Sequence, residues 1–412
     1  MSDPSDLVAR FQKMWAELTP IGRCAGGGYE RFSWTKEDDA LRSWFRAAAA
    51  DRGLEVEQDR NANLWAWWGH DPDEGLPRGP VVAVGSHHDS VPRGGAYDGP
   101  LGIVSAFLAL DVLSARHPTP PCPVAVVDFM EEEGARFGVA CLGSRLATGA
   151  LDPDLARALI DADGVTLADA MRDAGEDAGL LGADEERLAR LMAFVELHVE
   201  QGRFLEDVGK PIGVATQIWP HGRWRLRFDG EANHAGTARL SDRNDPMMPF
   251  ASAIVAAREA ANDHGGLATV GRVRTDPNGT NVVPASVDAW LDARAPDDAA
   301  LESIVADVQA RVAAEAVRHR VTFSITEESR TEAVSFDVAL RSRIVHVLGD
   351  VPEMHTGAGH DAGILASTLP TAMLFVRNPT GISHSREEHA SDEDCAEGIR
   401  ALAAVLEALA WA

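Results

Sequence analysis

Apolar residues fall along this chain in two patterns. Short unbroken runs occupy residues 81–84, 124–127 and 371–376, and another lies within LMAFVELHV. Runs of that length, closed by turn residues or charges, predict buried strands. A three-to-four-residue recurrence marks the other segments. Leu7, Phe11, Trp15 and Leu18 predict an opening amphipathic helix. Thr35, followed by Glu37, Asp38 and Asp39, is an N-cap signal for a second helix that runs to Gly53. Helices are likewise predicted over 101–113, 339–348 and 394–409, and two strands over 54–68 around Asn61-Ala62-Asn63. Residues 150–192 read as short helices and loops without chemistry of their own.

The texture changes near Gly209-Lys210-Pro211. Strand-like pieces (224–228, 267–273, 287–291, 321–325) alternate there with helical ones (249–262, 301–317). This predicts a compact two-layer α+β domain inserted at 212–324. The buried strands on either side belong to one α/β domain, built from residues 1–211 and 325–412.

Composition sharpens this picture. At 412 residues the chain is long enough for two domains. Its net charge of −26 argues against nucleic acid or an anionic membrane as a partner. The insert has 12 arginines, no lysine and 14 acids, so nearly all the excess negative charge lies outside it. The four cysteines, Cys24, Cys122, Cys141 and Cys395, show no paired spacing and read as reduced thiols of a cytoplasmic protein. The opening MSDPSDLVARFQKMW lacks a basic start and an apolar core, so no signal peptide is expected, and no stretch is apolar enough to span a bilayer.

Chemistry gathers where the buried strands end. The first run is followed by His87-His88-Asp89, and alternation puts His87 and Asp89 on one side. A turn-rich segment then leads to Asp98-Gly99-Pro100. The second run delivers Glu131, Glu132 and Glu133. The third ends in Glu196, His198, Glu200 and Gln201, and the last is followed by NPTGISHS with His384. A glycine-rich loop, TGAGHDAG, holds His360 and Asp361. Ligands of open α/β sheets bind at the carboxyl ends of strands. Each motif has a bland alternative: a loop histidine, a turn aspartate, a solvated run of glutamates. Together His87, Asp98, Glu133, His198 and His384 suit one or two borderline divalent ions such as zinc. Two ions need a shared ligand, and a carboxylate such as Asp98 can bridge them. Hydrolysis also needs a carboxylate that carries protons instead of binding metal, and the adjacent Glu132 and Glu133 can divide those roles.

With GSHHDSV, YDGPLG, EEEGARF, ELHVEQG, NHAGT, NVVPASVDAWLDAR, GAGHDA and GISHS in this order, the chain resembles the dinuclear metal-dependent amidohydrolases. That family includes N-carbamoyl-L-amino acid hydrolase, allantoate amidohydrolase and β-ureidopropionase, within the superfamily of aminoacylases and carboxypeptidases. The resemblance implies a mixed-sheet α/β catalytic domain with an inserted lid and dimerisation domain. It also implies two divalent ions per subunit, zinc first, with manganese, cobalt or nickel as alternatives. By resemblance, His87, Asp98 and His198 hold one ion, and Asp98, Glu133 and His384 the other. Glu132 matches the general base and Asp89 the acid that orients His87. His234 matches a residue that polarises the scissile carbonyl, often across the dimer, and Gln201, Asn281 and Arg294 match substrate-binding positions. The implied reaction cleaves the carbamoyl or ureido C–N bond of a small anionic acid, releasing ammonia and CO2.

Two local departures bear on substrate contacts: Arg386 replaces a proline after the GISH motif, and NHAGTARL carries Arg239. An aminoacylase or dipeptidase is a competing reading. The 11-residue interval from His87 to Asp98, and a histidine at 198 where those relatives offer a carboxylate, argue against it. A non-catalytic binding protein on the same fold is the other alternative; it should have lost a ligand or the base, and none is missing. Arg294 has its own bland alternative, a surface pair with Asp292.

Overall fold

A computed structural model describes residues 4–411 of the chain. Fifteen strands occur among them. β1 (Glu55–Gln58), β2 (Leu64–Trp68), β3 (Val81–His87), β4 (Val124–Phe129), β5 (Leu191–Val199) and β6 (Ile212–Ile218) come first. β7 (His221–Asp229), β8 (Asn233–His234), β9 (Leu267–Asp276), β10 (Val282–Val283), β11 (Ser286–Arg294) and β12 (Thr322–Thr331) follow. β13 (Val334–Ser335), β14 (Glu353–Thr356) and β15 (Thr371–Val376) complete the set. The chain forms two units, one of residues 1–216, 335–354 and 359–412, the other of 217–334 and 355–358.

The first unit is built on a mixed sheet in the order β1-β2-β4-β3-β5-β15-β6-β13, with β14 beside β6. Its centre, β4-β3-β5-β15, is parallel. All residues of β3, β4 and β15 are buried, which explains the apolar runs 81–84, 124–127 and 372–376 within them. Each fully buried Val or Leu contributes roughly 1.5–3 kcal/mol. Val82, Val84, Val126, Val195 and Leu374 join a core with the helices Pro4–Leu18, Pro100–Ser114 and Asp392–Ala410. The opening helix meets this core through Leu7, Phe11, Met14 and Leu18, close to the spacing read from the sequence. The second helix, Lys36–Ala50, starts as its cap signal requires, with the Thr35 side chain accepting from the Asp38 amide. Residues 150–192 form short helices over a separate core that includes Leu146, Leu167 and Met171.

Parallel alignment puts the carboxyl ends of four strands at one edge. β3 ends at His87, β4 leads into Glu131–Glu133, β5 carries His198 near its end, and β15 leads to the His384 loop. β3 continues through Gly85 and Ser86, where the sequence predicts its end, to His87.

The second unit is an antiparallel sheet in the order β12-β7-β11-β9. Alternate residues Trp224, Leu226 and Phe228 of β7, and Val287, Ala289, Leu291 and Ala293 of β11, are buried in one core. The helices Met247–Asp263 and Asp298–Arg318 cover them. The intervening arginines of β7 meet acids instead, Arg223 with Asp292 and Arg227 with Asp288. Residue 324, the expected end of the insert, lies inside β12, whose second half is exposed and carries no apolar alternation to read. No helix among the described residues is long and apolar enough to cross a membrane.

Candidate metal centre

The site is assembled from the backbone outward. The Asp89 carboxylate accepts the amides of Glu132 and Glu133, both at 3.0 Å, and so pins the loop after β4 to the loop after β3. Glu131 sits at the left-handed φ of 53° and turns its side chain away. There it accepts the amides of Arg136 and Phe137, so one of the three glutamates is structural. Gly99 is left-handed as well, and a Cβ there would lie 2.5 Å from the His87 ring, so only glycine lets the Asp98 turn pass so close.

His87 Nδ1 lies 3.2 Å from the Asp89 carbonyl and 3.3 Å from its carboxylate. Both are acceptors, so Nδ1 carries the proton. Nε2 is then a free donor atom, 3.6 Å from Asp98 and from Glu132. His198 repeats the arrangement: its Nδ1 donates to the Val199 carbonyl at 2.9 Å, and its Nε2 lies 3.1 Å from Asp98 Oδ1. Such partners fix the tautomer and direction of metal-binding imidazoles. On the other side of Asp98, Oδ2 lies 3.4 Å from His384 Nε2, which is 3.6 Å from Glu133. Two donor groups result, His87–Asp98–His198 and Asp98–Glu133–His384, with Asp98 common to both.

Electrostatics fit a cation at this place. Burial raises Glu132 well above the usual carboxylate range, and burial with the neighbouring Asp98 raises Glu133 to about 8. Burial opposes ionisation of Asp98 too, but His198, His384 and His87 hold it well below the ordinary value. The hydrogen bond to Asp98 lifts His384 to about 9. A crowd of buried carboxylates favours positive charge among them, which a divalent ion supplies. The buried Nε2 atoms of His87 and His198 and Oε1 of Glu133 have no hydrogen-bond partner, as free ligand atoms would not. These residues fit the metal the sequence implied.

Other residues take different places. Gln201 donates to Asp98 Oδ2 at 2.9 Å and lies beside His384. The Cys141 thiol donates to Glu132 at 3.2 Å. His360 and Asp361, noticed in the sequence but given no role, are both buried near the donor groups. The His360 ring stacks edgewise 4.5 Å from His198, and Asp361 accepts from Ser144. Glu196, His198 and His360 are also close enough for a metal, but both Glu196 oxygens are already taken, by Ser86 and the Ala362 amide.

The second unit holds His234, Asn281 and Arg294. β8 and β10 pair His234 with Val282, and the Ala235 amide donates to the Asn281 carbonyl, so His234 and Asn281 are neighbours. Arg294 is not with them. It ends β11, at the far end from Ser286, where its guanidinium meets Asp292 at 3.0 Å and the Gly357 carbonyl at 2.6 Å.

A parallel sheet edge that gathers histidines and carboxylates around a shared aspartate, with a spare buried glutamate, has the make-up of a metal-dependent hydrolase site on an α/β sheet. A model of the peptidase family M20/M25/M40 matches residues 83–408, and the chain belongs to that family. It is 35% identical to an N-carbamoyl-L-amino acid amidohydrolase of Geobacillus stearothermophilus, over 95% of this chain and 96% of that one. It is 34% identical to an allantoate amidohydrolase of Escherichia coli, over 98% and 100% of the two chains. A crystal structure of a hydantoinase/carbamoylase family amidase from Burkholderia multivorans superposes with a TM-score of 0.85 at 30% identity, covering 97% of each chain.

Proposed function

We propose that the protein is a cytoplasmic, homodimeric amidohydrolase that cleaves the carbamoyl or ureido C–N bond of a small carboxylic acid. For a group R–NH–CO–NH2 the balance is addition of one water and release of R–NH2, ammonia and CO2. The observation that carries this reading is Asp98, shared between two donor groups with the buried Glu132 carboxyl beside them. His87, Asp98 and His198 would hold one divalent ion, and Asp98, Glu133 and His384 a second, with zinc the best match to such nitrogen and oxygen donors. Ions bound there supply Lewis acidity, which polarises a carbonyl and acidifies water.

The chain's own groups do the rest. Glu132 takes a proton from the attacking water and hands it to the leaving nitrogen; burial, which raises its affinity for a proton, suits it to both halves of that transfer. Asp89 holds His87 and the Glu132 backbone in register. Gln201 orients Asp98 and faces the substrate. Arg294 grips the substrate carboxylate with its planar fork, exchanging its present partners for the ligand. His234 and Asn281 donate to the oxygen on which charge develops.

Where those two residues lie supports the dimer. β11 spans nine residues, about 26 Å from end to end at 3.3 Å per residue. His234 and Asn281 belong to one end and Arg294 to the other. A small ureido acid cannot bridge that length, which supports assigning His234 and Asn281 to a second subunit.

The test is ammonia release by zinc- or manganese-loaded protein from N-carbamoyl-L-amino acids, allantoate, N-carbamoyl-β-alanine and ureidoglycolate. N-acetyl amino acids and dipeptides serve as the contrast. Turnover of at least one ureido acid is expected. Turnover confined to the contrast set would make the protein an aminoacylase or dipeptidase instead.

A further inference from the structure

Glu388 lies outside both donor groups, four residues beyond His384, and is almost completely buried. Its Oε1 accepts two backbone amides, Tyr97 at 2.9 Å and Asp98 at 3.0 Å. Its Oε2 accepts the Ser383 hydroxyl at 3.0 Å. Ser383 directly precedes His384 and also lies 3.3 Å from Asp98 Oδ2. One carboxylate therefore ties the main chain of the shared aspartate to the segment that carries the last histidine, across nearly 300 positions of sequence. The contact is tight on both sides. A Cβ at Gly95 would sit 2.1 Å from Glu388 Oε1, so the loop offers its bare backbone to the carboxylate.

We infer that Glu388 is a positioning residue of the metal centre. It locks the Asp98 loop and the His384 loop together, and sets the spacing of the donor group that spans them. This rests on the metal-binding reading above and adds a residue to it. Two charge-assisted bonds to adjacent amides fix where the Asp98 side chain starts, while the Ser383 bond fixes where the His384 side chain starts. His384 itself stands at φ 54°, a left-handed conformation that a free loop would abandon. Without Glu388, two buried amides lose their acceptor and the loops part. The donor group Asp98–Glu133–His384 should then loosen before His87–Asp98–His198, whose two histidines are set by strands β3 and β5.

The experiment is chelator competition on zinc-loaded full-length protein, read as metal retained, alongside the melting temperature of the metal-free protein. Glu388→Ala should release part of its metal at a chelator concentration roughly 10- to 100-fold lower than wild type, the usual range for partners of metal ligands. Glu388→Gln should hold metal much closer to wild type, because an amide oxygen still accepts from Tyr97 and Asp98. Gly95→Ala changes no donor but displaces the carboxylate, so it should shift release in the same direction as Glu388→Ala. That variant keeps the test sharp if Glu388→Ala folds poorly. A purely structural Glu388 would lower the metal-free melting temperature and leave the chelator midpoint in place. That result, in Glu388→Ala or in Gly95→Ala, overturns the inference while leaving the metal centre standing. Wild-type protein that takes up no zinc would instead overturn the metal reading itself, and the inference with it.

Discussion

Glu132 and Glu133 are neighbours to which the proposed reaction gives opposite duties, and the division is testable. Glu133 lies in the donor group with Asp98 and His384, its Oε2 3.6 Å from His384 Nε2, whereas Glu132 lies by His87 and Cys141. Glu133→Ala should lose metal. Glu132→Gln should keep it and lose most turnover, since only the proton carrier is gone. Metal analysis of both variants with one activity assay decides, and equal metal loss would end the division. Arg294 supports a second prediction. Lysine keeps the charge but not the fork, so Arg294→Lys should lower kcat/KM at least tenfold, about 1.4 kcal/mol, with metal content and melting temperature near wild type. Unchanged kinetics would return Arg294 to its pairing with Asp292. The donor residues were candidates in the sequence because they lie at the end of an apolar run or in the turn-rich segment that follows one. The split between Glu132 and Glu133 was drawn there too, but the place of Glu131 was not: it differs from its neighbours through a left-handed turn that sequence does not announce. Glu388 was equally hidden, because a glutamate in SREEH looks like a solvated surface charge until the fold places it over Gly95.

Elements were readable in proportion to their burial. β3, β4 and β15 each hold an apolar run and stand out by it; β7 and β11 stand out by alternation. β12 was read only over its first residues because the rest faces solvent, and the short pairs β8–β10 and β13 are too brief for any period to show. The four-residue β14 was given no element, since its Glu353-Met354-His355-Thr356 sequence has one apolar residue. Among the helices, Pro100–Ser114 is buried on nearly every side, more than its role as a single crossover would need. Phe107 lies at its middle, fully buried with its ring 5.1 Å from Phe45. Phe107→Ala should cost about 3–5 kcal/mol by leaving a cavity there. Urea unfolding of the metal-free protein measures it, and a loss below about 1 kcal/mol would mean that the core collapses into the gap.

For the molecule as a whole, the strongest expectation is that two copies share each site. Glu132→Gln and His234→Ala should each be nearly inactive alone. Coexpressed, they form mixed dimers in which one site has the glutamate of one copy and the histidine of the other. Random pairing then restores about a quarter of wild-type activity. If His234 serves its own subunit, no activity returns. The charge distribution favours the same assembly, since two copies at −26 repel least where arginines and acids nearly balance.

The strand order has a consequence for how the protein is made. β15 is the last strand of the chain, yet it lies between β5 and β6 in the middle of the sheet. Until residue 376 has left the ribosome, β15 cannot join β5 to β6, and each of the two keeps an unpaired edge open to whatever is nearby. His384, eight residues later, arrives later still. The nascent chain therefore spends most of its synthesis without a closed sheet or a complete set of donors, and the non-local pairing that ends this state is slow. A chain released early, at residue 370, should aggregate or engage chaperones and retain no more metal than an unfolded control. A full complement of metal should be retained only once His384 has emerged.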